Sequence, residues 1–321
     1  MQLHKSRRVF STVTAVLLLF SLVFGLSACN RQPAALDNPT YELTILATND
    51  LHGHISTMPE YLTIINQVRG ERDHVLLLDA GDVFRRGPYQ EYQGSVEIAL
   101  FNQMGYNALV PGNNEFKVPG SPDSKDGAGT LEESDAQLAD IIRWADFPVL
   151  CGNVTLKSTG AYIEGTRPWV IEVVGGLRIG IIGVTHMQPA ENKLEMAADK
   201  NFVRGDLAVK QLLPEVREAS DIQIVLSHAG LSTDKKIKNV SAVIGGHDHN
   251  ILEDYKNRYG VPVTQGGGED DHRLTRLDLT FALVDGAWVL QASQGMLYTA
   301  DGLEKDPALI IPALSAIPGD T

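Results

Sequence analysis

Short apolar runs, each closed by a side chain able to hold a metal, recur along this chain. Such runs restrict it to folds in which buried strands carry those side chains to their ends. Leu43-Thr44-Ile45-Leu46-Ala47-Thr48 runs into Asn49-Asp50-Leu51-His52-Gly53-His54. His74-Val75-Leu76-Leu77-Leu78 runs into Asp79-Ala80-Gly81-Asp82, and Ala108-Leu109-Val110 into Gly112-Asn113-Asn114-Glu115-Phe116. Further on, Ile222 to Ser227 leads to His228-Ala229-Gly230, and Ala242 to Gly245 leads to Gly246-His247-Asp248-His249. Continuous apolar runs of this length suit strands covered on both faces.

Between the runs the spacing turns helical. Leu62, Ile65 and Val68 share one face over Tyr61 to Val68. Val96, Ala99 and Leu100 do so over Ser95 to Met104, and Leu138, Ile141, Ile142 and Ala145 over Glu132 to Ala145. More strands are expected at Pro148–Cys151, Trp169–Val174, Arg178–Val184, Val261–Thr264, Arg273–Val284 and Ala287–Gln291, with Asp285-Gly286 as a hairpin turn between the last two. Lys117 to Thr130, rich in Gly, Pro, Ser and Asp, is expected to be an exposed loop. The pattern predicts an α/β fold with mixed sheets.

Asp50, His52, Asp82, Asn113, His228, His247 and His249 are hard oxygen donors and imidazoles, a mixture suited to divalent transition metals and to two-metal hydrolysis. Singly, each motif has a plainer explanation: a surface His-x-His, a turn at Gly-Asp, a satisfied core Asn. Five of them, each after an apolar run, are not explained that way.

In this order the motifs resemble the calcineurin-like metallophosphoesterases, most closely their 5'-nucleotidase branch, over roughly Tyr41 to Val284. The resemblance implies a four-layer α-β-β-α sandwich with two mixed sheets and a metal site at the carboxyl ends of strands. It implies two divalent ions, with Mn or Zn favoured. Asp82 would bridge them; Asp50, His52 and His249 would complete one site, and Asn113, His228 and His247 the other. It further implies a small phosphorylated substrate. His54 is a candidate for hydrogen-bonded support of these ligands. His74 and His186 are expected to cap strands or lie on the surface, and His272 to sit in an exposed turn.

One departure bears on mechanism. In this branch the Asn ligand is followed by His, held by an Asp three residues on; here those positions are Asn114 and Lys117. Loss of a positioned proton donor is worth about 10²–10⁴ in rate. It weighs most on poor leaving groups. Asn114 is the candidate catalytic replacement, able to donate a hydrogen bond but not a proton. Arg85, Arg86 and Lys117 are candidate substrate contacts, since cations and guanidinium above all match phosphate. Family nucleotidases also carry a C-terminal domain that grips the nucleoside; no counterpart is expected before Thr321.

Lys5, Arg7 and Arg8 precede an uncharged, mostly apolar stretch from Val9 to Leu26, and Leu26-Ser27-Ala28-Cys29 follows. Residues 1–28 are expected to be a lipoprotein signal peptide, Cys29 the lipidated residue, 29–40 a tether and 41–321 the metallophosphoesterase domain. The protein is then exported and lipid-anchored to a bacterial membrane, facing the periplasm or exterior. Cys151, the other cysteine, is expected to be a buried small hydrophobe. The formal net charge of −13 argues against a nucleic-acid groove and against electrostatic docking on anionic lipid. Nothing in the sequence speaks to oligomeric state.

The expected function is an exported dinuclear-metal phosphoesterase acting on phosphomonoesters or phosphoanhydrides, impaired where the leaving group is poor. Two alternatives stay open: a catalytically degenerate metal- or ligand-binding lipoprotein, and a metal hydrolase of another oxyanion such as a thiosulfonate.

Overall fold

Strands buried on both faces dominate the centre of the molecule, as the apolar runs require. β1 (Thr40–Thr48), β2 (Val75–Asp79) and β3 (Ala108–Leu109) lie side by side and parallel. The computed structural model describes residues 38–117, 131–186 and 199–309, which apart from Asn38 and Pro39 belong to the unit Thr40–Thr321. The expected signal peptide, Cys29, nearly all of the tether and 118–130 of the expected loop lie outside the described residues.

The remaining strands are β4 (Val154–Leu156), β5 (Trp169–Val174), β6 (Leu177–Thr185), β7 (Lys200–Phe202), β8 (Ile222–His228), β9 (Ala242–Gly245), β10 (Ile251–Lys256), β11 (Pro262–Gly266), β12 (Leu274–Val284) and β13 (Ala287–Tyr298). The first sheet has the order β13-β12-β1-β2-β3, and the second β10-β11-β9-β8-β6-β5. Both are mixed: antiparallel β12 and β13 flank the parallel part of the first, while β10 and β5 close the second. Among the described residues, four helices of two or more turns accompany them: α1 (Met58–Glu71), α2 (Ser95–Met104), α3 (Leu131–Trp144) and α4 (Gly205–Ala219).

Three apolar clusters fix the stacking. Ile65, Val96, Phe101 and Ile141 of α1, α2 and α3 pack on Leu46, Leu77 and Leu109, one face of the first sheet. Leu43, Ile45, Leu76 and Leu78, on its other face, meet Ile179, Ile181, Ile222 and Ile224 of the second sheet. The far side of that sheet, with Ile182, Val184 and Val225, is covered by Ala208, Val209, Leu212 and Val216 of α4. The clusters thus run helices, sheet, sheet, helix. Alternate residues of one apolar strand serve opposite faces because side chains alternate along it.

Expectation and structure part in a few places. Helix α4 and strands β4, β7 and β10 are additions, β4 and β7 forming a small antiparallel pair. Pro214 lies inside α4 and reads locally as a breaker, yet the apolar stripe against the second sheet carries the helix through. Pro148–Cys151 is not a strand; Val149 and Leu150 make only isolated bridges to Leu109 and Arg167. β13 continues to Tyr298 instead of ending near Gln291, because β12 offers a pairing partner as far as Leu274. At the Asp285-Gly286 turn both residues take positive φ, 50° and 82°, as a tight hairpin with the strands' twist requires.

Register sets where the strands stop. Thr48 pairs with Asp79, Asp79 with Leu109, Thr185 with His228 and Ser227 with Gly245. The carboxyl ends of β1, β2 and β3 are therefore level, as are those of β6, β8 and β9. Open parallel sheets bind ligands at this edge.

Candidate metal centre

Each expected ligand leaves a strand at that edge. Asp50 and His52 follow β1, Asp82 follows β2, Asn113 follows β3, His228 closes β8, and His247 and His249 follow β9. The structure brings all seven together. His52 Nε2 lies 3.1 Å from His249 Nε2 and 3.8 Å from Asp82 Oδ2. His228 Nε2 lies 3.4 Å from Asp82 Oδ2 and 4.0 Å from Asp50 Oδ1. His249 Nε2 is 3.4 Å from Asp50 Oδ1, and His247 Nδ1 is 2.9 Å from Asn113 Oδ1. Two overlapping groups result, Asp50–His52–His249 and Asp50–Asp82–His228, with ligand atoms within 4.8 Å of one another in each.

The backbone is strained where the ligands sit. Asp50, His52, Asp82, His247 and His249 all have φ between 49° and 81°, a left-handed region that residues with a Cβ rarely enter. Such strain persists only where surrounding structure over-determines it, and it clusters at functional sites. Here the over-determination is visible. Asp50 N donates to Gly81 O (2.9 Å) and His52 N to Asp82 O (2.9 Å), which ties the loop after β1 to the loop after β2. Glu115, fully buried, accepts from Asp82 N (2.9 Å), Val83 N (2.9 Å) and Gly112 N (2.6 Å), which ties in the loop after β3. A Cβ on Gly112 would stand 2.1 Å from Asp82 Oδ1 and 2.5 Å from Asp82 N. Gly112→Ala must therefore push Asp82 aside. We expect about a hundredfold loss of turnover from a displacement of this kind, with lowered metal content on elemental analysis; unchanged content and rate would contradict it.

Two of the donor atoms are left without a hydrogen-bond partner. Asp50 Oδ1 and His228 Nε2 are buried with no hydrogen-bond partner. A buried polar atom without a partner is costly, and in native proteins calls for a ligand, water or ion. Asp50 Oδ2 is taken by Asn49 Nδ2 (2.7 Å) and His247 N (2.8 Å), so only Oδ1 faces the cluster. His228 Nδ1 bonds Ala80 O at 2.6 Å, which fixes a proton on Nδ1 and aims Nε2 inward. The donor set fits a metal.

Charges in the metal-free centre follow from burial and the two carboxylates. Burial lowers His52 and His247 to about 4 and keeps both neutral, as ligands must be. Burial also opposes charge on His228, but Asp82 and Asp50 beside it win and raise it to about 10. Asp82 is buried too, yet His228 and His52 hold its carboxyl well below the usual range. Burial, then the charge on Asp82, pushes Glu115 up to about 7.

The residues in place of the missing dyad are turned inward. Asn114 N donates to Asp82 Oδ1 (2.8 Å) and its Nδ2 to Asp82 Oδ2 (2.8 Å), with His52 Nδ1 at 3.1 Å. Lys117 Nζ donates to Asn114 Oδ1. In this arrangement the amide of Asn114 holds Asp82, and Lys117 holds the amide. Arg85 is half-buried and within electrostatic range of Glu115 and Asp82. Arg86 is exposed and paired with Glu269, whose backbone N–H donates to Asp50 O at 2.8 Å, so it stands at the rim. His54 is half-buried, its backbone N–H closing a turn on Leu51 O.

His186 was expected to cap a strand or face solvent. Instead its ring stacks on His247 with centroids 3.7 Å apart and an interplanar angle of 19°. The sequence held part of the signal, since His186 directly follows an apolar run as the expected ligands do. His272 is half-buried rather than exposed, edge-on to Tyr61 and 2.8 Å from Thr57 Oγ1. His74 stacks on Tyr41, away from the centre, and Cys151 is a free, buried thiol as expected.

Comparison with known proteins bears on the same stretch. Residues 43–250 match the family profile described as calcineurin-like phosphoesterase. The trifunctional nucleotide phosphoesterase protein YfkN of Bacillus subtilis is 28% identical over 268 residues, covering 75% of this chain and 18% of that protein. The 5'-nucleotidase of Bos taurus is 30% identical over 240 residues, covering 66% of this chain and 39% of that protein. This chain thus spans less than half the length of either relative. Among solved structures, calcineurin-like phosphoesterase YfkN from B. subtilis superimposes with a TM-score of 0.67 at 21% identity, over 84% of this chain and 95% of that one. The sulfate thiohydrolase SoxB of Thermus thermophilus reaches the same TM-score, 0.67, at 14% identity, over 82% of this chain and 58% of that one. Both likenesses concern the fold alone.

Proposed function

The chain belongs to the calcineurin-like phosphoesterase family, and on that premise we propose that it is a hydrolase of phosphomonoesters or phosphoanhydrides working through two divalent ions. The observation that carries the proposal is the meeting of seven donors from the carboxyl edges of both sheets, with Asp50 Oδ1 and His228 Nε2 buried and without a hydrogen-bond partner. When bound, divalent ions supply Lewis-acid polarisation of the ester and a nucleophile at neutral pH. Asp50, His52 and His249 would hold one ion, and Asn113, His228 and His247 the other. Asp82 would be the bridging carboxylate, as the family resemblance implies; its Oδ2 lies 3.8 Å from His52 Nε2 and 3.4 Å from His228 Nε2, one imidazole of each set. Glu115 and Asn114 position Asp82, and His186 backs the ring of His247.

No imidazole stands where the family's proton donor would. The substrates served best are those whose leaving oxygen needs little protonation, aryl phosphates and anhydrides. Arg85, half-buried within electrostatic range of Asp82, and Arg86, at the rim, are the cations we assign to an incoming phosphate, since Lys117 is engaged by Asn114. The decisive assay compares release of p-nitrophenol from its phosphate with release of phosphate from a nucleoside monophosphate, before and after chelation and on adding back Mn²⁺ or Zn²⁺. No hydrolysis of either ester by metal-loaded protein would favour a degenerate binding protein, a reading to which the inward-turned Asn114 lends weight. The likeness to SoxB adds a thiosulfonate as the third substrate to try.

Metal uptake has a pH signature. With its value raised to about 10, His228 carries a proton at neutral pH in the metal-free fold. Its contribution to stability is complete below the unfolded value, about 6.5, and fades as pH rises through the folded one. An ion on Nε2 must expel that proton, so apparent affinity climbs with pH toward 10. Calorimetry at neutral pH in two buffers of different ionisation enthalpy is expected to register about one proton released per protein from this group. Zero release would mean either that His228 is already neutral in the metal-free fold or that it is not a ligand.

We also carry forward the placement of the protein: residues 1–28 a signal peptide, Cys29 lipidated, 29–40 a tether, 41–321 the catalytic domain. No helix among the described residues is long and apolar enough to cross a membrane. Radiolabelled fatty acid incorporated by the parent but not by Cys29→Ser would support the anchor.

A further inference from the structure

A groove of about 380 Å³ runs along the outer side of α4, and none of its lining residues belongs to the metal-ligand set. Arg204, Lys210, Arg217, Lys236, Lys238 and Arg258 line it. Its single lining acid, Asp206, is already paired with Arg204. The chain has 40 acidic residues against 27 Lys and Arg, so six cations round one concavity run against the composition. Lys210, Lys236, Lys238 and Arg258 have no carboxylate partner among the described residues.

The cations are held in place by buried structure. Asn257 is 4% exposed. Its Nδ2 donates to Asp234 O (3.2 Å) and Ile237 O (2.8 Å), and its Oδ1 accepts from Tyr259 N (2.9 Å) and Val261 N (3.2 Å). One side chain thereby fastens the segment bearing Lys236 and Lys238 to the segment bearing Arg258 and Tyr259. Arg217 donates to Asn239 O at 2.6 Å and joins α4 to the first of them. The Tyr259 ring lies 4.8 Å from the Arg258 guanidinium and 5.5 Å from Lys238 Nζ.

We propose that this groove binds an oligophosphate group, independently of the metal centre. Like charges gathered round a concavity repel one another until an anion enters, and the concave shape concentrates their field. Guanidinium groups match phosphate oxygens in pairs, while lysines serve as point charges. Leu213 and Pro214 supply an apolar wall for a carbon portion of the ligand. A soluble oligophosphate and a lipid phosphate headgroup offer the same chemistry, so the test has an arm for each.

Methylenediphosphonate is titrated calorimetrically into the metal-loaded chain and into a Lys210→Glu/Lys236→Glu variant, both positions being exposed. The parent shows a groove site in addition to any at the metal centre. The variant loses affinity for that site at least about tenfold, and the parent does so at high salt. Hydrolysis of p-nitrophenyl phosphate stays unchanged. Co-sedimentation with phosphatidylglycerol vesicles, displaced by methylenediphosphonate and absent with phosphatidylcholine, assigns the site to lipid headgroups; binding of the diphosphonate without vesicle binding assigns it to soluble oligophosphates. Identical isotherms for parent and variant, or no binding outside the metal centre, overturn the proposal. Since the groove shares no residue with the catalytic proposal, each can fail without the other.

Discussion

Asp82→Asn is expected to cut turnover of an aryl phosphate by about a thousandfold, the scale on which removing a preorganised electrostatic contact acts when it also unseats an ion. The change is isosteric, so packing is preserved while the chemistry is not. Asp82 accepts from the backbone and the side chain of Asn114, each at 2.8 Å, through different oxygens. An amide has one acceptor oxygen and must turn its NH₂ toward one of these donors. It also brings no charge to balance His228, 3.4 Å away. Breaking a buried charged pair by removing one member costs about 3–5 kcal/mol, so the metal-free variant should melt earlier. The variant is measured for metal content, melting temperature and aryl-phosphate turnover. A rate within tenfold of the parent, with both ions retained, would remove Asp82 from the centre.

Asn114→His combined with Lys117→Asp is expected to raise kcat/KM on a nucleoside monophosphate about a hundredfold, the lower end of what a positioned acid supplies, and to leave an aryl phosphate nearly unaffected. The two positions are coupled in the structure, since Lys117 donates to Asn114 Oδ1. His alone at 114 would face the Lys117 ammonium, which disfavours the imidazolium that donates a proton. Asp alone at 117 would face the Asn114 carbonyl, turn the amide over and set its oxygen against Asp82. Either single change should therefore gain little or lose activity, and only the pair should gain. Burial already depresses Lys117 below the ordinary lysine value, so replacing it also relieves a desolvated charge. Kinetics of all four proteins on both esters decide the matter. Four equal rates on the nucleotide would show that proton donation was not what this site lacks.

The nature of the centre was legible from the sequence because two local signals coincide there. Apolar runs such as Leu76-Leu77-Leu78 form strands, since nothing else buries them on both faces, and the polar residue that ends each run is left at a sheet edge. Helix α2 falls where its spacing puts it, closed by Gly105 at φ 72°. What spacing cannot express is direction. The stack of His186 on His247 depends on β6 lying level with β8 in the second sheet. Likewise the inward turn of Asn114 depends on where Asp82 is held by Glu115. The groove beside α4 joins cations from three segments of the chain that share no sequence signal.

The sequence by itself therefore determined the candidate donor set, its order, the parallel strands that end in it and the replacement of the resembled family's His and Asp by Asn114 and Lys117. These follow from side-chain chemistry and from alternation along single strands, which are local properties. Only the tertiary structure decided that two sheets meet with level edges, that five candidate ligands sit in left-handed backbone, that in the metal-free fold burial lowers His52 while Asp82 and Asp50 raise His228, and that cations gather beside α4. Those depend on register between strands, on depth of burial and on the distance between charges, and each of the three exists only once remote segments have packed together.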